Sequence, residues 1–233
     1  MKITYLSNSG FVIELSRSVL IFDYYRDTPQ NDGKTIIRRS SDKVVYFFVS
    51  HRHMDHFNPT ILTFDCEARY IISNDVEINT DRNVIFIGKG DSWSDGAISV
   101  KAFGSTDEGV SFVVQSEGLT IFHAGDLNNW HWNEEVPAHE AQKYETDFLN
   151  ELNVIKNEYA RFDAAMFPVD PRLGKDYARG AEQFVDMFDV GLFVPMHFGA
   201  KYSKAAAVEN IAKSGIFGFF NISAQGDCID WAP

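Results

Sequence analysis

The chain has 233 residues, with 21 Lys and Arg against 33 Asp and Glu, giving a formal net charge of −12. That length carries one substantial core, and 45% hydrophobic and 14% aromatic residues, with twenty Phe, are the composition of a packed globular protein. The acidic balance argues against a broad nucleic-acid footprint, which needs clustered Lys and Arg, yet leaves room for a small anion held by local cations.

Met1-Lys2-Ile3-Thr4-Tyr5 runs straight into a strand-like alternation, with no signal-peptide core or cleavage site. Lys43–Val49 is an apolar run that reads as a buried strand. Asn58-Pro59, an N-cap followed by proline at the first helical position, predicts a helix from that point. Short β-branched or aromatic runs follow at Ala68–Ser73, Val84–Ile87, Ala97–Phe103, Val110–Gln115 and Leu119–His123, separated by Gly, Asp and Asn.

The second half alternates helices with strands. Tyr144, Phe148, Leu152, Ile155 and Tyr159 make one helical stripe, and Phe162–Val169 reads as a strand. The next predicted helix carries Ala181, Phe184, Val185 and Phe188 on one face. Gly191–His197 is then a strand, and Lys204–Lys213 a helix with Val208, Ile211 and Ala212 inward. No linker, charge block or repeat divides residues 1–233, so a single domain is expected, with two sheets covered by outer helices. No apolar run approaches the roughly 20 residues that cross a bilayer. Cys66 and Cys228 make no disulfide framework and read as reduced thiols, so a cytoplasmic protein is expected.

The stretch Ser50-His51-Arg52-His53-Met54-Asp55-His56 carries the chemistry. Imidazole and carboxylate suit zinc and its first-row neighbours, and this stretch leaves the carboxyl end of a predicted strand, where open α/β sheets build their sites. His51 and His53, two apart on an extended loop, point the same way and can share one metal. Asp55 and His56 reach the other side.

H-x-H-x-D-H after a hydrophobic strand resembles the metallo-β-lactamase superfamily of metal-dependent hydrolases. Further motifs fit it in order: Ile3 to Leu15 then Val19 to Asp23 as the opening hairpin, Phe122-His123-Ala124-Gly125-Asp126 as the strand-end Gly-Asp, and Val194-Pro195-Met196-His197-Phe198 as the late ligand strand. In length and layout the chain is similar to the smaller lactonase-like members, such as the ascorbate-6-phosphate lactonase group. The resemblance implies an α/β fold, a four-layer αββα sandwich. It departs in two places. Ser105, in Gly104-Ser105-Thr106-Asp107-Glu108-Gly109, stands where a G-H-[ST]-x-G-type turn carries the third histidine of the first metal site, and Asn8 stands where the lactonase-like members have another.

Carried over, Asp55, His56, Asp126 and His197 make the second metal site, and His51, His53 and the shared Asp126 the first. One or two divalent ions are implied, zinc foremost, with manganese or iron as alternatives, and a metal-bound hydroxide as nucleophile. Asp55 is the expected catalytic carboxylate. Asp23, His123 and Ser105 are expected behind the ligands, Asp23 fixing an imidazole tautomer unless it is an ordinary strand-end turn residue. His131 is either a pocket residue and substitute ligand or part of an aromatic cluster packing its loop. Trp130, Trp132, Arg172, Lys201 and Tyr202 are candidate substrate contacts, and Asp107 or Glu108 could give the first metal an oxygen ligand. The expected reaction is hydrolysis of an ester, lactone or phosphodiester bond in a small anionic substrate. A nuclease or RNA-processing member, or a non-catalytic metal-binding sensor or scaffold, are the alternatives. The expected partner is a small molecule; a homo-oligomer is allowed, and neither nucleic acid nor membrane is expected.

Overall fold

The computed structural model describes residues 1–29, 43–210 and 218–232. Strands β1 (Lys2–Ser7), β2 (Gly10–Glu14), β3 (Ser18–Phe22), β4 (Val44–Val49), β5 (Ala68–Ser73) and β6 (Val84–Ile87) come first. They are followed by β7 (Ser92–Ser94), β8 (Ile98–Phe103), β9 (Ser111–Ser116), β10 (Leu119–His123), β11 (Arg161–Phe162) and β12 (Ala164–Pro168). The last are β13 (Asp189–Val190), β14 (Leu192–Met196), β15 (Gly218–Phe219) and β16 (Cys228–Asp230). Described helices are α1 (Ala138–Lys156), α2 (Arg179–Met187) and α3 (Tyr202–Ala207).

Two seven-stranded sheets result, ordered β16-β1-β2-β3-β4-β5-β6 and β15-β14-β12-β10-β9-β8-β7. Each is mixed. β1, β2 and β3 pair antiparallel and β3 to β6 parallel, while β7 to β10 pair antiparallel and β10, β12, β14 and β15 parallel. The architecture is the α/β sandwich of the metallo-β-lactamase fold, two facing sheets packed with helices.

The period of two in the strands decides which side chains face inward. Tyr46 and Phe48 of β4, with Leu20 and Phe22 of β3, enter the core between the sheets. Val45, Phe47 and Val49, with Val19 and Ile21, face the other way and pack with Ile61, Phe64 and Tyr70. Phe22 stacks on Phe48 at 4.6 Å, and Phe48 meets Phe112 of the opposite sheet edge-on at 5.5 Å. On the far side of the second sheet, Phe184 of α2 stacks on Phe167 of β12 at 4.5 Å and on Phe122 of β10 at 5.3 Å.

Three expectations about elements need correction, and one strand was not predicted. Asn58-Pro59 opens a single 3-10 turn over Pro59–Thr63, capped by Asn58 Oδ1 accepting from the Thr60 N–H, and the backbone turns extended again at Phe64. Ile61 and Phe64 are apolar anchors one short turn apart, which suffices to cover the outer face of the first sheet. Phe162–Val169 splits into β11 and β12 because Arg161-Phe162 pairs with β13 in a separate two-stranded ribbon. Ser92-Trp93-Ser94, polar at both ends, becomes edge strand β7 by pairing with Ser99–Lys101. The predicted helix over Lys204–Lys213 starts earlier, at Tyr202, and is described to Ala207; Ile211 and Ala212 lie outside the described residues.

Candidate metal centre

Five strand ends deliver the site. Asp23 follows β3, Ser50 to His56 follow β4, Asp126 follows β10, and Asp170 and His197 follow β12 and β14. Several of these turns use unusual backbone. Asn8, Asp23 and His197 sit at positive φ (50°, 42° and 60°), a conformation that costs energy in non-glycine residues and persists where the surroundings over-determine it. Gly109 and Gly125 are also left-handed. A Cβ at Gly109 would meet the Ser50 carbonyl oxygen at 2.0 Å, and one at Gly125 the Val110 carbonyl oxygen at 2.7 Å. These close approaches let the loops after β4, before β9 and after β10 share one small volume.

The ligand-type atoms converge in two groups, His51 with His53 and Asp126, and Asp55 with His56 and His197. In the first, His51 Nε2 lies 3.0 Å from His53 Nδ1 and 3.6 Å from Asp126 Oδ2. In the second, Asp55 Oδ2 lies 3.7 Å from His56 Nε2 and 3.8 Å from His197 Nε2. Asp126 spans both: its other oxygen, Oδ1, stands 3.2 Å from His56 Nε2 and 3.5 Å from His197 Nε2. Ligands about 2.0–2.2 Å from one ion lie no more than about 4.4 Å apart, so all these separations fit shared ions. Asp126 Oδ1 and His56 Nε2 are buried without a hydrogen-bond partner despite their proximity. Buried polar atoms are normally satisfied, and a cation between such atoms satisfies them.

Each imidazole is oriented from behind. Asp23 Oδ2 accepts from His56 Nδ1 at 2.7 Å and from the Ser50 hydroxyl at 2.7 Å, and Asp23 Oδ1 accepts from the Ser50 N–H. The Ser50 hydroxyl also lies 3.0 Å from His51 Nδ1. Asp170 Oδ2 accepts from His197 Nδ1 at 3.0 Å, and Glu108 Oε2 faces His53 Nε2 at 3.5 Å. We assign the proton of each ring to this outer nitrogen, which leaves the inner nitrogen's lone pair facing the centre.

The electrostatics are those of a buried, charge-paired cage. Burial works against ionisation of Asp23, yet His123 and His56 beside it hold its carboxyl down at about 2. Burial lowers His56, but the Asp126, Asp23 and Asp55 carboxylates overcome it and push the imidazole up to about 9. His51 is brought down to about 4 by burial and by neighbouring His56. Asp170 is held at about 2 despite burial by His197 and Arg172, while withdrawal from solvent and then the Asp126 carboxylate raise Asp107.

Residues 2–197 match the family model of the beta-lactamase superfamily domain. The chain belongs to the metallo-β-lactamase superfamily. It is 24% identical over 213 residues to a UPF0173 metal-dependent hydrolase of Thermococcus kodakarensis, covering 85% of this chain and 84% of the relative. Another UPF0173 metal-dependent hydrolase, of Pyrococcus furiosus, is 23% identical over 235 residues and covered to 91%, as is this chain. Among solved structures, Igni18, a metallo hydrolase of the archaeon Ignicoccus hospitalis, superposes with a TM-score of 0.67 over 99% of both chains at 16% identity. The protein is a metal-dependent hydrolase of this superfamily.

Against the superfamily pattern, the remaining candidate residues divide. Asn8 donates to Asp55 Oδ2 at 2.9 Å, so it steadies a carboxylate of the second group. His123 is fully buried, stacked on Phe22, with Nε2 on the Ser9 carbonyl and Nδ1 accepting from the Gly125 N–H. His131 is not brought to the centre. Its Nε2 lies 3.2 Å from the carbonyl of Asp176, in the Pro171–Asp176 turn, and its Nδ1 accepts from the Asn133 N–H. Trp130 is a buried wall: its indole donates to the Asp126 carbonyl at 2.9 Å, meets His197 edge-on at 5.7 Å and stacks on Trp132. Tyr202 packs edge-on against Phe198. Arg172 forks onto Asp170 through Nε and Nη2. It shares with Lys201, Asn8, Asp55 and His197 a cleft of about 320 Å³. A second cleft, of about 450 Å³, includes Ser105, Asp107, Trp130, Lys143 and Tyr144. Sequence reasoning missed Asp170 and Ser50. Asp170 carried one signal, a carboxylate at a strand end like Asp23 and Asp126.

Proposed function

We propose that the protein hydrolyses an ester, lactone or phosphodiester bond in a small anionic molecule, with divalent ions held by His51, His53 and Asp126 on one side and by Asp55, His56, Asp126 and His197 on the other. The observation that carries this reading is the division of the Asp126 carboxylate, one oxygen toward each group, with Oδ1 and His56 Nε2 buried and unpartnered. Bound there, divalent ions would polarise the bond under attack and lower the pKa of water enough for it to serve as nucleophile near neutral pH.

The chain's own groups supply the rest. Asp55 stands at the mouth of the 320 Å³ cleft with its side chain 47% exposed, so it can take a proton from the attacking water and deliver it to the leaving oxygen. Asn8 fixes the orientation of that carboxylate. Lys201 and the outward guanidinium of Arg172 give one wall positive charge in an otherwise acidic protein, which favours an anionic substrate group. Trp130 meets the His197 ring edge-on at 5.7 Å and lines the neighbouring cleft of about 450 Å³. A cytoplasmic, lactonase-like role is part of this proposal, supported by the length and motif order of the chain and by the free thiols of Cys66 and Cys228. Metal analysis followed by initial rates on a panel of lactones, esters and phosphodiesters tests the proposal. Metal-dependent turnover of one class, reduced by Lys201→Ala through KM, supports it; bound metal with no hydrolysis of any class refutes it.

A further inference from the structure

We infer that Asp107 is a protein ligand of the first metal, taking over from the histidine that Ser105 replaces, and that this site therefore favours manganese or iron over zinc. The inference rests on the metal-centre reading above. His51, His53 and Asp126 alone leave the first group one protein donor short of a closed four-ligand set, and a neutral serine hydroxyl is outside the usual donors of imidazole, thiolate and carboxylate. Ser105 is otherwise engaged: its hydroxyl accepts from the Asp107 N–H at 3.2 Å.

Asp107 reaches the first group through one of its members, His53. Its Oδ2 lies 4.0 Å from His53 Nδ1, the same nitrogen that stands 3.0 Å from His51 Nε2. That distance is within the roughly 4.4 Å span of two ligands on one ion. The neighbouring acid has a different task. Glu108 accepts from Arg52 through Oε1 at 2.6 Å and faces the outer nitrogen of His53 through Oε2. Thus two consecutive carboxylates take opposite nitrogens of one ring, Glu108 holding it from behind and Asp107 joining it on the metal side. Gly109, whose left-handed turn presses against Ser50 and His51, brings this pair onto the β4 loop. Two imidazoles with two carboxylates make a harder donor set than three imidazoles with one, and harder sets favour manganese and iron.

The test is metal binding by the full-length chain, stripped and then titrated with Zn(II), Mn(II) or Co(II). The unmodified protein should bind two ions per chain. Asp107→Ala should weaken one of them on the order of 100-fold or more, since losing even an outer partner costs about 10–100-fold. It should also alter one Co(II) absorption band while sparing the band that His197→Ala alters. Asp107→His should restore two-ion binding and move the Zn(II) over Mn(II) preference of that site by about 10-fold toward zinc. Melting of the stripped variants reads folding separately, and the near-isosteric Asp107→Asn gives the same readout should Asp107→Ala not fold. Asp107→Ala or Asp107→Asn with two ions bound as tightly as before overturns this inference and leaves the metal centre standing. Absence of metal from the unmodified protein overturns both.

Discussion

In the proposed centre, Asp170 would act through the candidate ligand His197. The Asp170 carboxylate fixes which nitrogen of His197 carries the proton, and the Arg172 fork holds that carboxylate in turn. Asp170→Asn should therefore weaken the second metal by about 10–100-fold while leaving the first within a few-fold, as read by metal titration. Asp126→Ala should empty both sites, because its oxygens face both groups, whereas His197→Ala should affect mainly the second. The histidines and Asp55 were legible because four of these residues lie within six positions of one loop, and such local density has few other causes. Asp170 was not. Its partner is 27 positions away, and Val169-Asp170-Pro171 reads equally well as a cap for the short turn that follows, a role it also fills by accepting from the Arg172 N–H.

At the scale of elements, the loops are precise because the strands behind them are heavily anchored. Phe48 of β4 touches Phe22 in its own sheet and Phe112 across the interface. Phe48→Ala should cost about 3–5 kcal/mol in urea unfolding, the range for truncating a core aromatic. Gly109→Ala should do disproportionate damage for one methyl group. It combines a left-handed backbone with a Cβ driven into the Ser50 carbonyl, so a loss of about 1–3 kcal/mol from strain should come with weakened metal binding. A variant with unchanged stability and metal affinity would show that the β9 loop does not position His51. Strands such as β5, β6 and β10 were legible to the residue, since short β-branched runs between Gly and Asn have little alternative. The 3-10 turn at Pro59 was overcalled because Asn-Pro starts an α-helix and a single turn alike; here the backbone turns extended at Phe64. β7 escaped notice because an exposed edge of three residues is defined by its neighbour β8, not by its own composition.

For the whole molecule, two sheets built from distant parts of the chain bring β3, β4, β10, β12 and β14 to one edge, and that edge is where all the candidate ligands gather. The order of motifs made the family resemblance readable before any contact was known, since each motif ends a strand. What the order could not convey was the loops' folding: His131 lies five residues after Asp126 yet turns toward the Asp176 carbonyl, while Asp107, in a turn distant from every histidine in sequence, comes within 4.0 Å of His53. The central claim is that Asp126 joins two metal sites that drive hydrolysis. Its most direct test is metal content and turnover measured together on stripped, reloaded and Asp126→Ala protein, using the substrate class found active in the panel. The expected result is two ions per chain after reloading, hydrolysis that vanishes on stripping and returns with metal, and loss of both ions and activity in Asp126→Ala. Hydrolysis that survives stripping, or an Asp126→Ala protein that still holds two ions, would contradict it.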